Sequence, residues 1–157
     1  MALEIERKFL VANDSWRSQV SRSVKIRQGY LNRSGKCSVR VRSAAGRGWL
    51  NLKSATLGAK RCEYEYEIPA RDAEELLKTL CVGALIEKVR HFVHFGDHLW
   101  EIDVFEADNQ GLIVAEIELT HPEEPFLRPP WLGPEVTDDP RYYNTYLAEK
   151  PFKSWQP

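Results

Sequence analysis

The sequence has no apolar run long enough to cross a membrane, and its opening residues MALEIERK place charge where a signal peptide needs hydrophobicity. A cytoplasmic protein with no membrane contact is therefore expected. Cysteine is scarce: Cys37, Cys62 and Cys81 are odd in number, widely spaced and free of any CxxC pair. That pattern argues against a disulfide framework and a paired-cysteine zinc site, and it suits a reducing compartment. Charge of one sign is missing too, since 22 Lys and Arg face 23 Asp and Glu. The balance speaks against general affinity for a nucleic-acid duplex or an anionic surface, so any strong field has to be local. No solenoid repeat, low-complexity tract, linker, Walker loop or dinucleotide fingerprint is present. At 157 residues the chain has the length of one ordinary domain, expected over 1–157.

What the sequence does have is alternation. In LEIERKF, Glu4, Glu6 and Lys8 share one face of an extended strand, while Leu3, Ile5 and Phe9 share the other. Seven further strands are expected over 23–32, 36–43, 48–54, 60–69, 84–95, 98–107 and 112–121. The breaks NRSGK, AAGRG, TLGAK, FGDH and ADNQG are short and rich in turn residues, which implies antiparallel neighbours. Asn13, Asp14 and Ser15 precede a short amphipathic turn. RDAEELLKTLC has helical period, with Ala73, Leu76, Leu77 and Leu80 on the core side and Gly83 as the stop. A last helix is expected to start at Asp139–Pro140 and run to Glu149, after a loop containing RPPWLGP.

The ionised faces recur. Arg40 and Arg42 oppose Val39 and Val41; Lys53 opposes Leu50 and Leu52; Glu63, Glu65 and Glu67 oppose Tyr64 and Tyr66. Lys88 and Arg90 flank Val89, Glu101 and Asp103 oppose Ile102, and Glu116 and Glu118 oppose Ile117. The signs segregate by strand, which a scattered solvated surface rarely produces.

Eight antiparallel strands tend to close into a barrel because closure removes unpaired edges. The fold class is accordingly α+β: an eight-stranded antiparallel β-barrel with flanking helices and a C-terminal helix. With the apolar faces inward, the barrel would hold an apolar ligand and the helices would have little to cover. With the charged faces inward, helices or a second copy of the chain in a homodimer shield the outer wall. The interior then needs water, metal or a charged ligand. Carboxylates suit hard cations such as Mg²⁺ or Mn²⁺, and Lys and Arg suit phosphate oxygens; together they describe a metal-bound polyphosphate.

The segment EIERK resembles the Glu-x-Glu-x-Lys signature of the CYTH domain, the triphosphate tunnel metalloenzyme superfamily. The resemblance continues in order through IRQGYL, VRVR, LKS, EYEYEI, EKVRH, EIDVF, AEIEL and RYYNTYLA. It implies a charged eight-stranded tunnel that acts on triphosphates with divalent metal. Carried over by position, Lys8, Arg40, Arg42, Lys53, Lys88 and Arg90 would hold phosphate. Glu4, Glu6, Glu116 and Glu118 would hold metal with help from Asp103, and Glu63 and Glu65 would orient the cations. Tyr30 matches the family's Gly-Tyr-Leu segment, but it is out of phase with Lys25 and Arg27, so aiming it inward calls for a bulge near Gly29. Three glutamates at 63, 65 and 67 stand where the motif requires two, and Glu67 is expected outside the reacting zone.

The implied activity is hydrolysis of a small triphosphate, with inorganic tripolyphosphate first because little lies beyond the barrel to recognise a base. A class IV-type adenylate cyclase, a thiamine triphosphatase and a non-catalytic polyphosphate-binding module are the alternatives. His91, His94 and His98 do not form a metal face, because FGD is a turn and the strand sends His91 and His94 to opposite sides. The five tryptophans are scattered and make no stacking platform for nucleic acid.

Overall fold

Alternating ionised and apolar side chains produce strands nearly everywhere they are expected. The computed structural model describes residues 3–33 and 35–155, so Ser34 in the NRSGK turn and the ends of the expected 1–157 domain lie outside the described residues. The strands are β1 (Leu3–Val11), β2 (Val20–Tyr30), β3 (Cys37–Ala44), β4 (Arg47–Ser54), β5 (Lys60–Ile68), β6 (Val82–Phe95), β7 (His98–Phe105) and β8 (Ile113–Glu118). They follow one another around a sheet in the order β5-β4-β3-β2-β6-β7-β8-β1, and β1 returns to pair with β5. Every pairing is antiparallel, as the short turns require. At the β3–β4 hairpin both turn residues take positive φ, Ala45 at 51° and Gly46 at 74°, the primed-turn geometry that matches strand twist.

A ninth strand was not expected. β9 (Leu132–Glu135) falls in the segment read as loop and pairs with the second half of β1, after the first half has paired with β5. Pro134 is tolerable on such an edge. Gly133 allows the close approach, since a Cβ there would meet the Leu10 carbonyl oxygen at 2.8 Å.

The apolar faces form the outer wall, and different pieces of chain cover them. The segment after β8 packs Phe126 and Trp131 over Phe9 and Trp100, with the two indoles edge to face at 5.4 Å. The turn at Ser15–Gln19 contributes buried Trp16; Asn13 Oδ1 accepts the Ser15 N–H, while Asp14 pairs with Arg17 instead of capping. α1 (Ala70–Thr79) lays Ala73 and Leu77 on Val41 and Leu50. Burying a leucine such as Leu77 contributes about 1.5–3 kcal/mol. Leu80, expected in that core, is 59% exposed because the helix ends at Thr79 and the backbone turns away. Among the described residues no helix covers the outer face of β5, where Tyr64 and Tyr66 are exposed.

The expected C-terminal helix is divided. A 3-10 turn at Pro140–Tyr142 and α2 (Asn144–Glu149) flank Tyr143, whose backbone is extended. The Tyr143 hydroxyl donates to the Thr137 carbonyl at 2.7 Å and accepts the Gly58 N–H at 3.0 Å, and these bonds hold the break. α2 then packs Leu147 and Ala148 on Tyr30, Ile86, Phe105 and Val114. Directly opposed residues share a face, and Phe105 opposes Lys88 while Tyr30 opposes Arg40. α2 therefore sits against inward-facing side chains and plugs one end of the barrel.

Candidate active site

The same pairing rule places the ionised faces inside. Lys8 opposes Glu116, which opposes Glu101; Glu6 opposes Glu118; Lys53 opposes Glu63. They line a cavity of about 350 Å³ together with Glu4, Tyr30, Arg40, Arg42, Glu65, Lys88 and Arg90. Every site residue expected from the sequence lines this cavity except Asp103. Glu67 lies outside, held at the surface by Arg47 at 2.6 Å.

Asp103 departs from its expected place beside the metal. Both of its oxygens accept from Arg90, at 2.8 and 2.9 Å, and Oδ2 lies 2.7 Å from Lys88 Nζ. Burial raises its pKa, and the charges of Arg90 and Lys88 more than reverse this, leaving Asp103 below the usual aspartate value. It anchors two cations and presents no oxygen to the cavity. Glu101, two residues earlier on the same face, takes the exposed position.

Among the described residues, Glu6, Glu101 and Glu116 bring one carboxylate oxygen each within 4.8 Å of one another. Three carboxylates this close resist joint ionisation. Burial and then the Glu116 charge push Glu6 well above the usual range, and burial raises Glu101. Glu116 goes the other way: burial is outweighed by Lys8, Arg90 and Lys88, and Glu6 adds a hydrogen bond, so Glu116 keeps its charge. Three convergent carboxylates form an all-oxygen donor set, the kind that fits a hard divalent cation. Glu4 is engaged by Lys53 at 2.9 Å, and Glu118 is exposed at the cavity's edge.

Five of the six expected phosphate-binding cations are already paired with carboxylates. Lys8 meets Glu116 at 3.4 Å, Arg40 meets Glu63 at 3.7 Å, and Lys53 bridges Glu4 and Glu63. Lys88 meets Asp103, and Arg90 also reaches Glu116 at 3.1 Å and Glu101 at 3.2 Å. Burial lowers Lys88 to about 8 despite Asp103. Arg42 alone of the six makes no ion pair among the described residues. Burial, then Arg40 and Arg90, bring it down to about 9.

Lys25 and Arg27 point outward, to Glu106 and to Glu74 at 2.8 Å. Tyr30 lies in regular phase with inward Gln28, so no bulge in β2 at Gly29 is needed; the register shift falls in β6, where Tyr30 meets Val82 after Gln28 meets Ile86. Sequence reasoning also missed neutral Asn51 in the cavity wall and Gln28, which accepts from Arg42, both passed over by a search for ionised faces, and Arg61, whose phase matches Glu63. Tyr143 was missed as well. Its ring lies 5.4 Å from Lys8 Nζ and 5.1 Å from the Arg61 guanidinium carbon.

The histidines stay apart: His91 Nδ1 meets Ser23 Oγ at 2.6 Å, His94 is exposed, and His98 pairs with Glu124 at 2.5 Å. Among the described residues, no helix is long and apolar enough to cross a membrane.

The family model of the CYTH domain matches residues 2–143. An inorganic triphosphatase of Acetivibrio thermocellus is 44% identical over 156 residues, covering 99% of both chains. An inorganic triphosphatase of Nitrosomonas europaea is 37% identical over 149 residues, covering 92% of this chain and 96% of that one. The crystal structure of the inorganic triphosphatase NE1496 superposes with a TM-score of 0.67 at 35% identity, covering 98% and 99%.

Proposed function

The chain belongs to the CYTH domain family, and on that footing we propose that it is a divalent-metal-dependent hydrolase that releases phosphate from inorganic tripolyphosphate. The observation that carries this reading is the opposition, across one cavity, of the Glu6–Glu101–Glu116 oxygens to the surrounding lysines and arginines. Relatives named inorganic triphosphatase over nearly the full length support it. We take 1–157 as one domain, working in the cytoplasm on a small free substrate and touching neither membrane nor nucleic-acid duplex. A second copy of the chain over exposed Tyr64 and Tyr66 makes it a homodimer.

Glu6, Glu101 and Glu116, with Glu4 and Glu118 nearby, would hold Mg²⁺ or Mn²⁺, which would supply charge neutralisation and activation of the attacking water. Arg40, Arg42 and Lys53 grip phosphate oxygens from the side of β3 and β4, and Lys8, Lys88 and Arg90 do so from the other. The cations stand in place before reaction, so they offset the charge spread over the transferring phosphoryl group without reorganising. Glu63 and Asp103 hold the cations in position, whereas Glu65, expected to do the same, accepts from Asn51 Nδ2 at 2.7 Å instead. Tyr30 closes the cavity toward α2, and the paired Tyr143 ring leaves little aromatic surface to stack a base. That favours an inorganic substrate over a nucleotide.

The test is a panel of tripolyphosphate, pyrophosphate, ATP and thiamine triphosphate with each metal, scoring both phosphate and cyclic nucleotide. Tripolyphosphate should be turned over fastest. Cyclic nucleotide from ATP, or binding without phosphate release, would displace the reading.

A further inference from the structure

Gln28 is a fully buried, uncharged side chain whose polar end is hydrogen-bonded to one of the six phosphate-binding cations. It lies on β2 directly opposite Arg42. Arg42 Nε donates to Gln28 Oε1 at 3.0 Å, and Gln28 Nε2 donates to Asn144 Oδ1 at 3.2 Å. The direction of this chain is forced. Arginine can only donate, so the amide atom facing it must be oxygen; the nitrogen is left toward α2, and Asn144 must accept there.

Using Nε for this bond leaves both terminal nitrogens of the Arg42 guanidinium for the cavity. No carboxylate lies in ion-pair range of Arg42 among the described residues, whereas each of the other five cations is matched with at least one. Before any of those five can serve phosphate, it must share or exchange a carboxylate partner. Arg42 need not.

We propose that Gln28 is a positioning residue that keeps Arg42 uncommitted: a neutral acceptor orients the guanidinium without neutralising it, with Asn144 fixing which end of the amide faces inward. The incoming polyanion thus finds one preformed, uncompensated cation, and part of its binding energy comes from that charge. The lowered pKa of Arg42 agrees with a charge that lacks a counter-ion. This inference rests on the phosphate-binding reading of the cavity, though not on hydrolysis.

Gln28→Glu and Gln28→Met separate this role from packing. Glutamate is the closer isostere, and it gives Arg42 a carboxylate. Ligand-free melting temperature and affinity for tripolyphosphate, pyrophosphate and phosphate are measured in chelator, where turnover plays no part. Gln28→Glu should hold or raise the melting temperature while weakening the tightest-binding anion roughly ten- to a hundredfold, the scale of a charged hydrogen bond. Gln28→Met should melt lower and lose less affinity. Asn144→Leu, which frees the amide to turn, should weaken the anion in the same direction without changing metal requirement. Wild-type affinity in Gln28→Glu, or a larger affinity loss in Gln28→Met than in Gln28→Glu, overturns the proposal. So does the absence of any anion binding to the wild-type chain. Anion binding without hydrolysis would instead overturn the activity and leave the Gln28 result standing.

Discussion

Lys88 and Asp103 form a 2.7 Å ion pair whose side chains retain only 1% and 2% of their solvent exposure. Such a pair is fragile to the loss of one partner, because the survivor keeps its desolvation cost without its counter-charge. Asp103→Asn should therefore lose about 3–5 kcal/mol of stability, read from denaturant midpoints. Glu101→Gln should lose less stability and raise the metal concentration needed for half-maximal rate. If the two variants behave the other way round, Asp103 is the metal-facing carboxylate and Glu101 the anchor.

Lys88 also sets a pH dependence. Folded, it gives up its proton at about 8, against an ordinary 10.5, because burial outweighs its partner. As pH rises past about 8 the cavity loses a positive charge, and kcat/KM for tripolyphosphate should fall, since that ratio reports the free enzyme. Between 8 and 10.5 the unfolded chain binds more protons at this site than the native one, so its contribution to stability rises with pH. Activity and stability should thus diverge on the alkaline side. In Lys88→Arg the falling limb should move to higher pH; an unmoved limb assigns it to another group.

Metal removal should abolish phosphate release and leave the β-barrel folded, because the cavity's cations and carboxylates partly compensate one another. Circular dichroism should be unchanged in chelator, and Mg²⁺ or Mn²⁺ should restore the rate. Glu6→Gln should remain folded and respond only weakly to added metal. Full turnover in excess chelator would falsify the metal-dependent reading.

Gly83 binds the plug to the barrel. Its φ is +72°, and a Cβ there would meet the Ala148 carbonyl oxygen at 2.6 Å. Gly83→Ala should cost about 1–3 kcal/mol through backbone strain and push α2 outward. Faster hydrogen exchange at Leu147 and Ala148 than in β3 or β4 would mark this local detachment; a uniform change along the chain would count against it.

Eight strands, and the inner faces of all but β2, were legible because alternation and turn chemistry act over neighbouring residues. What escaped depended on distant ones. β9 is four residues long, contains Gly133 and Pro134, and exists because β1 leaves its second half unpaired by β5. The break at Tyr143 comes from the pull of Thr137 and Gly58 on its hydroxyl. Alternation placed Glu101 and Asp103 on one face, yet it carries no record of depth along the barrel. Depth decides which of them meets the cavity and which is buried beneath Lys88 and Arg90. The same blindness hid Gln28, since charge counting favoured Lys25 and Arg27 on the wrong face of β2.

The pairing of β1 carries a consequence for the order of events during synthesis. β1 leaves the ribosome before its neighbours β5, β8 and β9, and its Lys8 waits for Glu116. Such long-range pairing is slow, and the pairing with β8 and β9 cannot begin until most of the chain has emerged. Until then Glu6 lacks the strand neighbours that bring it to Glu101 and Glu116. No nascent fragment that lacks β8 can assemble the carboxylate triad, so Glu6, Glu101 and Glu116 come together only as the barrel closes.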